Sequence, residues 1–298
     1  MDQAPGSPQE PQDAQAAPSC YRHPGRETGI TCTRCERPIC PDCMVSASVG
    51  FQCPECVRTG SGTGHSPSAN RPRTVAGGTV VSDTFLITKI LVALNVAVFV
   101  IVLALGDRFV AETELIGLAF SPQLGGVVGV ADGEWYRLLT ATFLHQDLTH
   151  ILFNLVTLWV LGRMVEPTLG RGRFLAVYLL SGLGGSTLAY LVAAPNQPSL
   201  GASGAIFGLM GALAVLARRQ NFDMRPVIAL LGLSLLLTFT REGISWEGHV
   251  GGLVVGALVT IGLVYAPRER RNLVQYTTCA LTLLATVLMV LARTTALT

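Results

Sequence analysis

Charge is what this sequence has least of. Only 13% of its 298 residues are Asp, Glu, Lys or Arg, where a soluble domain carries about 25%. Half the residues are hydrophobic, at 50% of the chain, and the mean hydropathy is +0.48. That balance excludes an ordinary soluble domain and points to a membrane protein. A net charge of only +2 leaves no global basic field to attract nucleic acid. No basic segment followed by an apolar stretch opens the chain, so no cleavable signal peptide is expected. Residues 1–19, rich in Pro, Gln, Ala and Ser without an apolar period, read as a disordered tail.

Cysteine is scarce outside one short stretch. Seven of the eight lie between Cys20 and Cys56, and Cys279 stands alone in an apolar run. With His23 the seven form four pairs: Cys20-x-x-His23, Cys32-x-x-Cys35, Cys40-x-x-Cys43 and Cys53-x-x-Cys56. Such pairs are a metal pattern more often than a disulfide pattern, and eight ligands suffice for two tetrahedral zinc ions. Every pair is complete, so no position is left open for catalysis. Thiols held for metal imply a reducing compartment, which places the N-terminus in the cytoplasm. Candidate core residues are few (Tyr21, Ile30, Ile39, Val45 and Phe51), so zinc is expected to supply much of the folding free energy, on the order of 10–16 kcal/mol per structural site. Arg22, Arg26, Arg34 and Arg37 are offset by Glu27, Glu36 and Asp42, which argues against a nucleic-acid partner. A cytoplasmic protein partner is the expected role beyond a bare structural cap. Residues 57–82 read as a flexible polar linker, with His65 solvated in it.

Apolar runs begin near Thr84 and a helix of about 20 residues spans a bilayer. Seven spans are expected, at 84–105, 147–166, 172–194, 203–217, 226–240, 248–266 and 272–292. Those at 203–217 and 226–240 are short, so they are either buried in the bundle or longer than drawn. Arg58, Arg71 and Arg73 precede the first span; 106–137 is acidic; Arg163, Arg171 and Arg173, then Arg218, Arg219 and Arg225, then Arg268, Arg270 and Arg271 mark alternate connections. The alternation puts the N-terminus inside, in agreement with the thiols. The segment 106–146 mixes Phe109, Val110, Leu115, Ile116, Leu118, Trp135 and Tyr136 with charges, which suggests an amphipathic piece in the outer leaflet.

Polar groups inside spans are costly and so informative. His145, His150 and Asn154 cluster at the start of the second span, with His150 and Asn154 four apart on one helix face. Ser203 opens the fourth span in Gly201-Ala-Ser-Gly204, and His249 opens the sixth. All three spans begin on the outer side, so these groups share one depth. Alone, Ser203 is an ordinary helix N-cap and His249 a histidine bonded to a loop carbonyl. Together they suggest a nucleophile and its general base, with helix-N-terminal N–H groups as oxyanion donors. Gly204, Gly208 and Gly211 on one span, and Gly252 and Gly256 beside His249 on the other, would permit the close packing this requires. No Asp or Glu obviously orients His249, so the pair would be a dyad rather than a triad.

The order and spacing of Trp135-Tyr136-Arg137, His145, His150-x-x-x-Asn154, Gly201-Ala-Ser203-Gly204 and His249-Val-Gly-Gly252 with Gly256 resemble the rhomboid family of intramembrane serine proteases over about 84–266. The resemblance implies an all-α polytopic fold, a six-helix core with a C-terminal seventh helix, and a Ser203–His249 dyad. It implies that His150 and Asn154 stabilise the oxyanion beside the Ser203 N–H. Trp135 and Arg137 match a structural motif of the first loop, and Glu166 with Gly162 and Gly170 a stabilising inner turn. Phe207 stands where some members have a tyrosine packed on the catalytic histidine. The substrates implied are transmembrane helices weakened by Gly, Pro or small residues near their outer ends, in the bacterial plasma membrane. The cysteine pattern resembles B-box-type zinc fingers, whose pairs interleave first with third and second with fourth. Two rivals remain: a non-catalytic relative that binds transmembrane clients, and a proton or metal path through His145, His150, Asn154 and His249. The first usually lacks the Ser or the His, and the second predicts acids deep in the spans. A soluble α/β-hydrolase is excluded, because Ala205 stands at the fifth position of a G-x-S-x-G elbow and no strand pattern precedes it.

Overall fold

The computed structural model describes residues 17–47, 49–59, 73–78, 80–241 and 243–298. The tail 1–16, the linker 60–72 with His65 and Arg71, and Glu242 lie outside the described residues. The chain divides into two compact units, Met1–Pro72 and Arg73–Thr298.

The first unit pairs β1 (Ser19–Cys20) with β2 (His23–Glu27) and β3 (Val45–Ser46) with β4 (Phe51–Gln52), both antiparallel, and adds helix α1 (Pro54–Thr59). Its core differs from the sequence expectation. Ile39 is fully buried and Tyr21 packs against the cluster, but Ile30, Val45 and Phe51 are exposed at 41%, 37% and 37%. Six cysteines and Ile39 fill the interior instead. An aliphatic core this small cannot offset chain entropy, and the two ribbons are too short to hold themselves.

The second unit contains seven long helices: α2 (Leu86–Leu105), α5 (Leu148–Leu169), α6 (Arg171–Val192), α7 (Ser203–Arg219), α8 (Arg225–Thr240), α9 (Trp246–Val264) and α10 (Arg271–Leu297). Leu86–Leu105, Leu148–Leu169, Arg171–Val192, Trp246–Val264 and the stretch Arg268–Leu297 are long and apolar enough to cross a membrane. The protein is thus an all-α polytopic membrane protein preceded by a small Cys-rich unit. The two short spans behave differently. Helix α7 is buried along nearly its whole length, whereas α8 buries only Val227 and Thr238. Helix α8 is neither enclosed nor longer than expected: it lacks a run of small residues to seat it, and Ile228, Leu233, Leu236 and Phe239 point outward. Helix α10 packs on α6 and α9, where Gln275 accepts from Arg173 Nε at 2.8 Å and donates to the Leu263 carbonyl at 2.7 Å. Arg73–Gly78, within the stretch read as linker, belongs to this unit: Thr74 donates to the Leu169 carbonyl and Gln275 to the Ala76 carbonyl.

Glycine sets the distance between α6, α7 and α9. A Cβ on Gly252 would overlap the Gly204 carbonyl, and one on Gly256 the Gly208 carbonyl. One on Gly251 would lie 2.6 Å from the Gly184 oxygen, and one on Gly185 2.5 Å from that of Gly248. The three backbones therefore touch, as small-residue seams allow.

Two buried charges hold the periphery. Glu166, 1% exposed near the end of α5, accepts from the N–H groups of Ile87 and Thr88 at 2.9 and 2.8 Å and from the Thr88 hydroxyl at 2.7 Å. It thereby satisfies the first turn of α2, whose N–H groups have no intrahelical partner. Segment 106–146 folds into α3 (Asp107–Thr113), the β5–β6 hairpin (Ala119–Ser121 with Gly126–Val128) and α4 (Arg137–Thr140). Arg137, fully buried, pairs with Glu134 at 2.7 Å and donates to the Ala111 and Glu114 carbonyls at 2.8 and 2.9 Å, closing the C-terminus of α3. Trp135 is 44% exposed on the same loop. Backbone bonds between Leu115 and Ser199 tie this segment to the connection that leads into Ser203.

Candidate active site and metal centres

Ser203 is the first residue of α7, and His249 lies in the first turn of α9. His150 and Asn154 occupy the first turns of α5, which Asp147 caps by accepting from the His150 N–H at 2.8 Å. Helices α5, α7 and α9 thus bring three N-termini to one end of the bundle, where their dipoles favour developing negative charge. Ser203 is half-buried and His249 buried.

The glycine seam places the two helices in register. Phe207, one turn after Ser203, stacks on the His249 ring with centroids 4.1 Å apart and planes at 15°. The ring contact expected of this position is therefore made without a hydroxyl. Among the described residues, no hydrogen bond joins the Ser203 hydroxyl to His249; the imidazole is instead bonded at Nδ1 to the Thr238 hydroxyl, 2.7 Å away. Sequence reasoning missed Thr238, which reaches the site from α8.

The side that carries His150 and Asn154 is equally close. A Cβ on Gly201 would lie 2.8 Å from His150 Nε2 and 3.7 Å from Ser203 Oγ. With φ at +126°, Gly201 is required by both its backbone and this approach. Asn154 is buried and donates one amide N–H to the His150 carbonyl at 3.1 Å, leaving a second N–H on the same nitrogen. His145, fully buried, packs edge-on against His150 at 4.9 Å. Burial, then the neighbouring His150, pulls His145 down to about 4, so this ring is neutral at physiological pH.

In the first unit, the four pairs gather into two sets, Cys20-His23-Cys40-Cys43 and Cys32-Cys35-Cys53-Cys56, each with its ligand atoms within 4.8 Å of one another. This is the interleaved order. Four thiolates about 2.3 Å from one ion sit about 3.8 Å apart, and Cys35 Sγ lies 3.8 Å from Cys53 Sγ. His23 Nδ1 lies 3.8, 3.3 and 3.5 Å from the sulfurs of Cys20, Cys40 and Cys43. Both sets therefore fit a tetrahedral metal ion. Burial pushes the Cys20 thiol up, but N–H groups of Cys40, Arg22 and His23 outweigh it and bring it down to about 6. Cys32 reaches about 6 in the same way, through Cys53, Arg34 and Cys35.

Comparison with known proteins agrees with this geometry. A family model described as the Rhomboid domain matches residues 132–266. Rhomboid protease GluP of Bacillus subtilis is 38% identical over 184 residues, covering 59% of this chain and 35% of GluP. Putative rhomboid protease YdcA of the same organism is 38% identical over 149 residues, covering 48% of this chain and 74% of YdcA. Rhomboid protease AarA of Providencia stuartii is 28% identical over 168 residues, covering 47% of this chain and 59% of AarA. The chain thus spans about a third of GluP's length and three quarters of YdcA's, and its matched region holds every helix that carries the polar cluster. On these grounds the chain belongs to the rhomboid family.

Proposed function

We propose that this protein is an intramembrane serine endopeptidase that cleaves peptide bonds in or near the transmembrane helices of other membrane proteins. Ser203 is the nucleophile and His249 the general base. The observation that carries this reading is the seating of the His249 ring on Phe207, one turn from Ser203, between helices in backbone contact. The Ser203 oxygen attacks the scissile carbonyl while its proton passes to the imidazole. The oxyanion that forms is held by the Ser203 N–H, Asn154 and His150. The imidazolium then gives its proton to the leaving amine, and water, activated by the same ring, releases the acyl group. One oxyanion donor is worth roughly 2.7–4 kcal/mol in rate, so Asn154 and His150 variants should lose less than Ser203 variants.

The first unit holds two structural zinc ions, in keeping with its thiolate-rich ligand sets. Thiols held for metal rather than joined in disulfides fit a reducing cytoplasm, so the N-terminus lies inside and the polar cluster opens at the outer face of a bacterial plasma membrane. Its partner, where it has one, is a cytoplasmic protein.

The test is cleavage of a panel of single-span reporters in proteoliposomes by wild type, Ser203→Ala and His249→Ala. The panel should include a substrate cut by another rhomboid protease. Cleavage by wild type alone supports the dyad. Equal cleavage by all three refutes it, and stable reporter binding without any cleavage favours a client-binding relative.

A further inference from the structure

Helix α8 touches the bundle through few buried groups, and one of them is polar: Thr238, 3% exposed, near its C-terminal end. Its hydroxyl oxygen lies 2.8 Å from the Ser234 carbonyl and 2.7 Å from His249 Nδ1. A hydroxyl has one proton to give and two lone pairs to receive with. A helical threonine ordinarily gives that proton to the carbonyl four residues earlier, as Thr157, Thr240, Thr278 and Thr282 do in this chain. With its proton on Ser234, the Thr238 oxygen is an acceptor toward His249, so the imidazole proton must sit on Nδ1. A neutral imidazole carries one N–H, and Nε2 is then the bare nitrogen, the form able to take a proton from serine.

We propose that Thr238 is a positioning residue that fixes His249 in the Nδ1–H tautomer and so supplies the orienting partner that a bare dyad lacks. The inference rests on His249 being the base. Two contacts divide the task. Phe207 sets the plane of the ring, and Thr238 sets which edge faces α8, since a half-turn of the ring would put carbon against the hydroxyl. As the ring becomes imidazolium, the same oxygen receives a hydrogen bond from a charged donor, which is stronger than the neutral one.

The test compares wild type with Thr238→Ser and Thr238→Val, whose side chain matches threonine in shape without a polar atom. In reporter cleavage, Thr238→Val should lose about 10- to 100-fold in kcat with KM unchanged, and Thr238→Ser should recover most of the loss. In 15N-histidine NMR of the intact protein, the His249 ring, identified by its absence in His249→Gln, should show a protonated Nδ1 in wild type and lose that single-tautomer signature in Thr238→Val. Wild-type kcat in Thr238→Val, or Nε2–H in wild type, overturns the proposal. If Thr238→Val does not fold, the wild-type spectrum and Thr238→Ser still decide it. Failure of the protease assignment itself looks different: wild type and Ser203→Ala then behave alike toward every reporter, whatever the ring shows.

Discussion

Removing the carboxylate of Glu166 should detach the N-terminus of α2 while leaving α7 and α9 in place. Among the described residues, its carboxylate is the hydrogen-bond acceptor for three donors: Ile87 N–H and Thr88 N–H at 2.9 and 2.8 Å, and the Thr88 hydroxyl at 2.7 Å. Each buried donor left unsatisfied costs about 1–3 kcal/mol. Three at the lower end amount to about 3 kcal/mol for Glu166→Ala, before the loss of a negative charge at a helix N-terminus is added. Glu166→Gln is the sharper control. Both Thr88 bonds fall on one carboxylate oxygen, Oε2, and that of Ile87 on the other, Oε1. An amide oxygen in the Oε2 position keeps two of the three bonds and turns an N–H against Ile87. That variant should lose about 1–2 kcal/mol. Unfolding in detergent micelles would rank the three proteins, and hydrogen exchange should show Ile87 and Thr88 opening while amides of α7 and α9 stay protected. A Glu166→Ala protein within about 0.5 kcal/mol of wild type, the range of an uninvolved surface change, would refute this reasoning.

Gly252→Ala should be more damaging than its single added methyl suggests, because the Cβ meets the Gly204 carbonyl rather than a movable side chain. Overpacking costs about 1–3 kcal/mol, and displacing Ser203 by 1 Å costs roughly 100-fold in rate. Gly172→Ala, with nothing within 4 Å of the new atom, is the control and should melt and cleave like wild type. Arg137→Ala removes the cation paired with Glu134 and the side-chain donor to the Ala111 and Glu114 carbonyls, and should lower stability by about 3–5 kcal/mol in the same micelle assay. Burial pushes the Glu134 carboxyl up, but Arg137 and the Gly129 N–H outweigh it and hold it below the usual carboxylate range. Its contribution is therefore present above the unfolded-state pKa and is lost as pH falls through the lowered value. Acid unfolding should show this limb in wild type and lack it in Glu134→Gln. Elemental analysis of the intact chain should find two zinc ions, Cys53→Ser should keep one, and a chelator should expose all seven N-terminal cysteines to alkylation at neutral pH.

The polytopic helical architecture and the gathering of Ser203, His249 and His150 at one end of the bundle were legible because both follow from local signals. Long apolar runs announce helices, and a polar residue in such a run declares itself by its cost. The interleaved ligand pairing came from resemblance rather than from spacing, which allows other pairings equally. What stayed hidden depends on contacts between distant positions. Glu166 looked like a residue of a turn, since nothing local shows that its partners are Ile87 and Thr88. Ile30, Val45 and Phe51 looked like core because they are apolar, yet the thiols gathered by their ligand geometry take the interior. Thr238 was invisible for a further reason. A threonine in an apolar helix normally returns its proton to its own backbone, so its polarity seems already used. Its spare lone pair matters only once α8 lies against α9.

A hydroxyl in that place is also what the setting favours. The orienting partner in a soluble triad is a carboxylate, which adds charge as well as direction. Here the partner sits on a thinly held helix with an outward apolar face, where an ionised side chain would draw water to α8 or pull it from the bundle. Thr238 supplies direction alone, and its proton is already committed to Ser234. Orientation without charge should make a slower protease than a full triad, but one whose base keeps a single tautomer in a region that water reaches only in part.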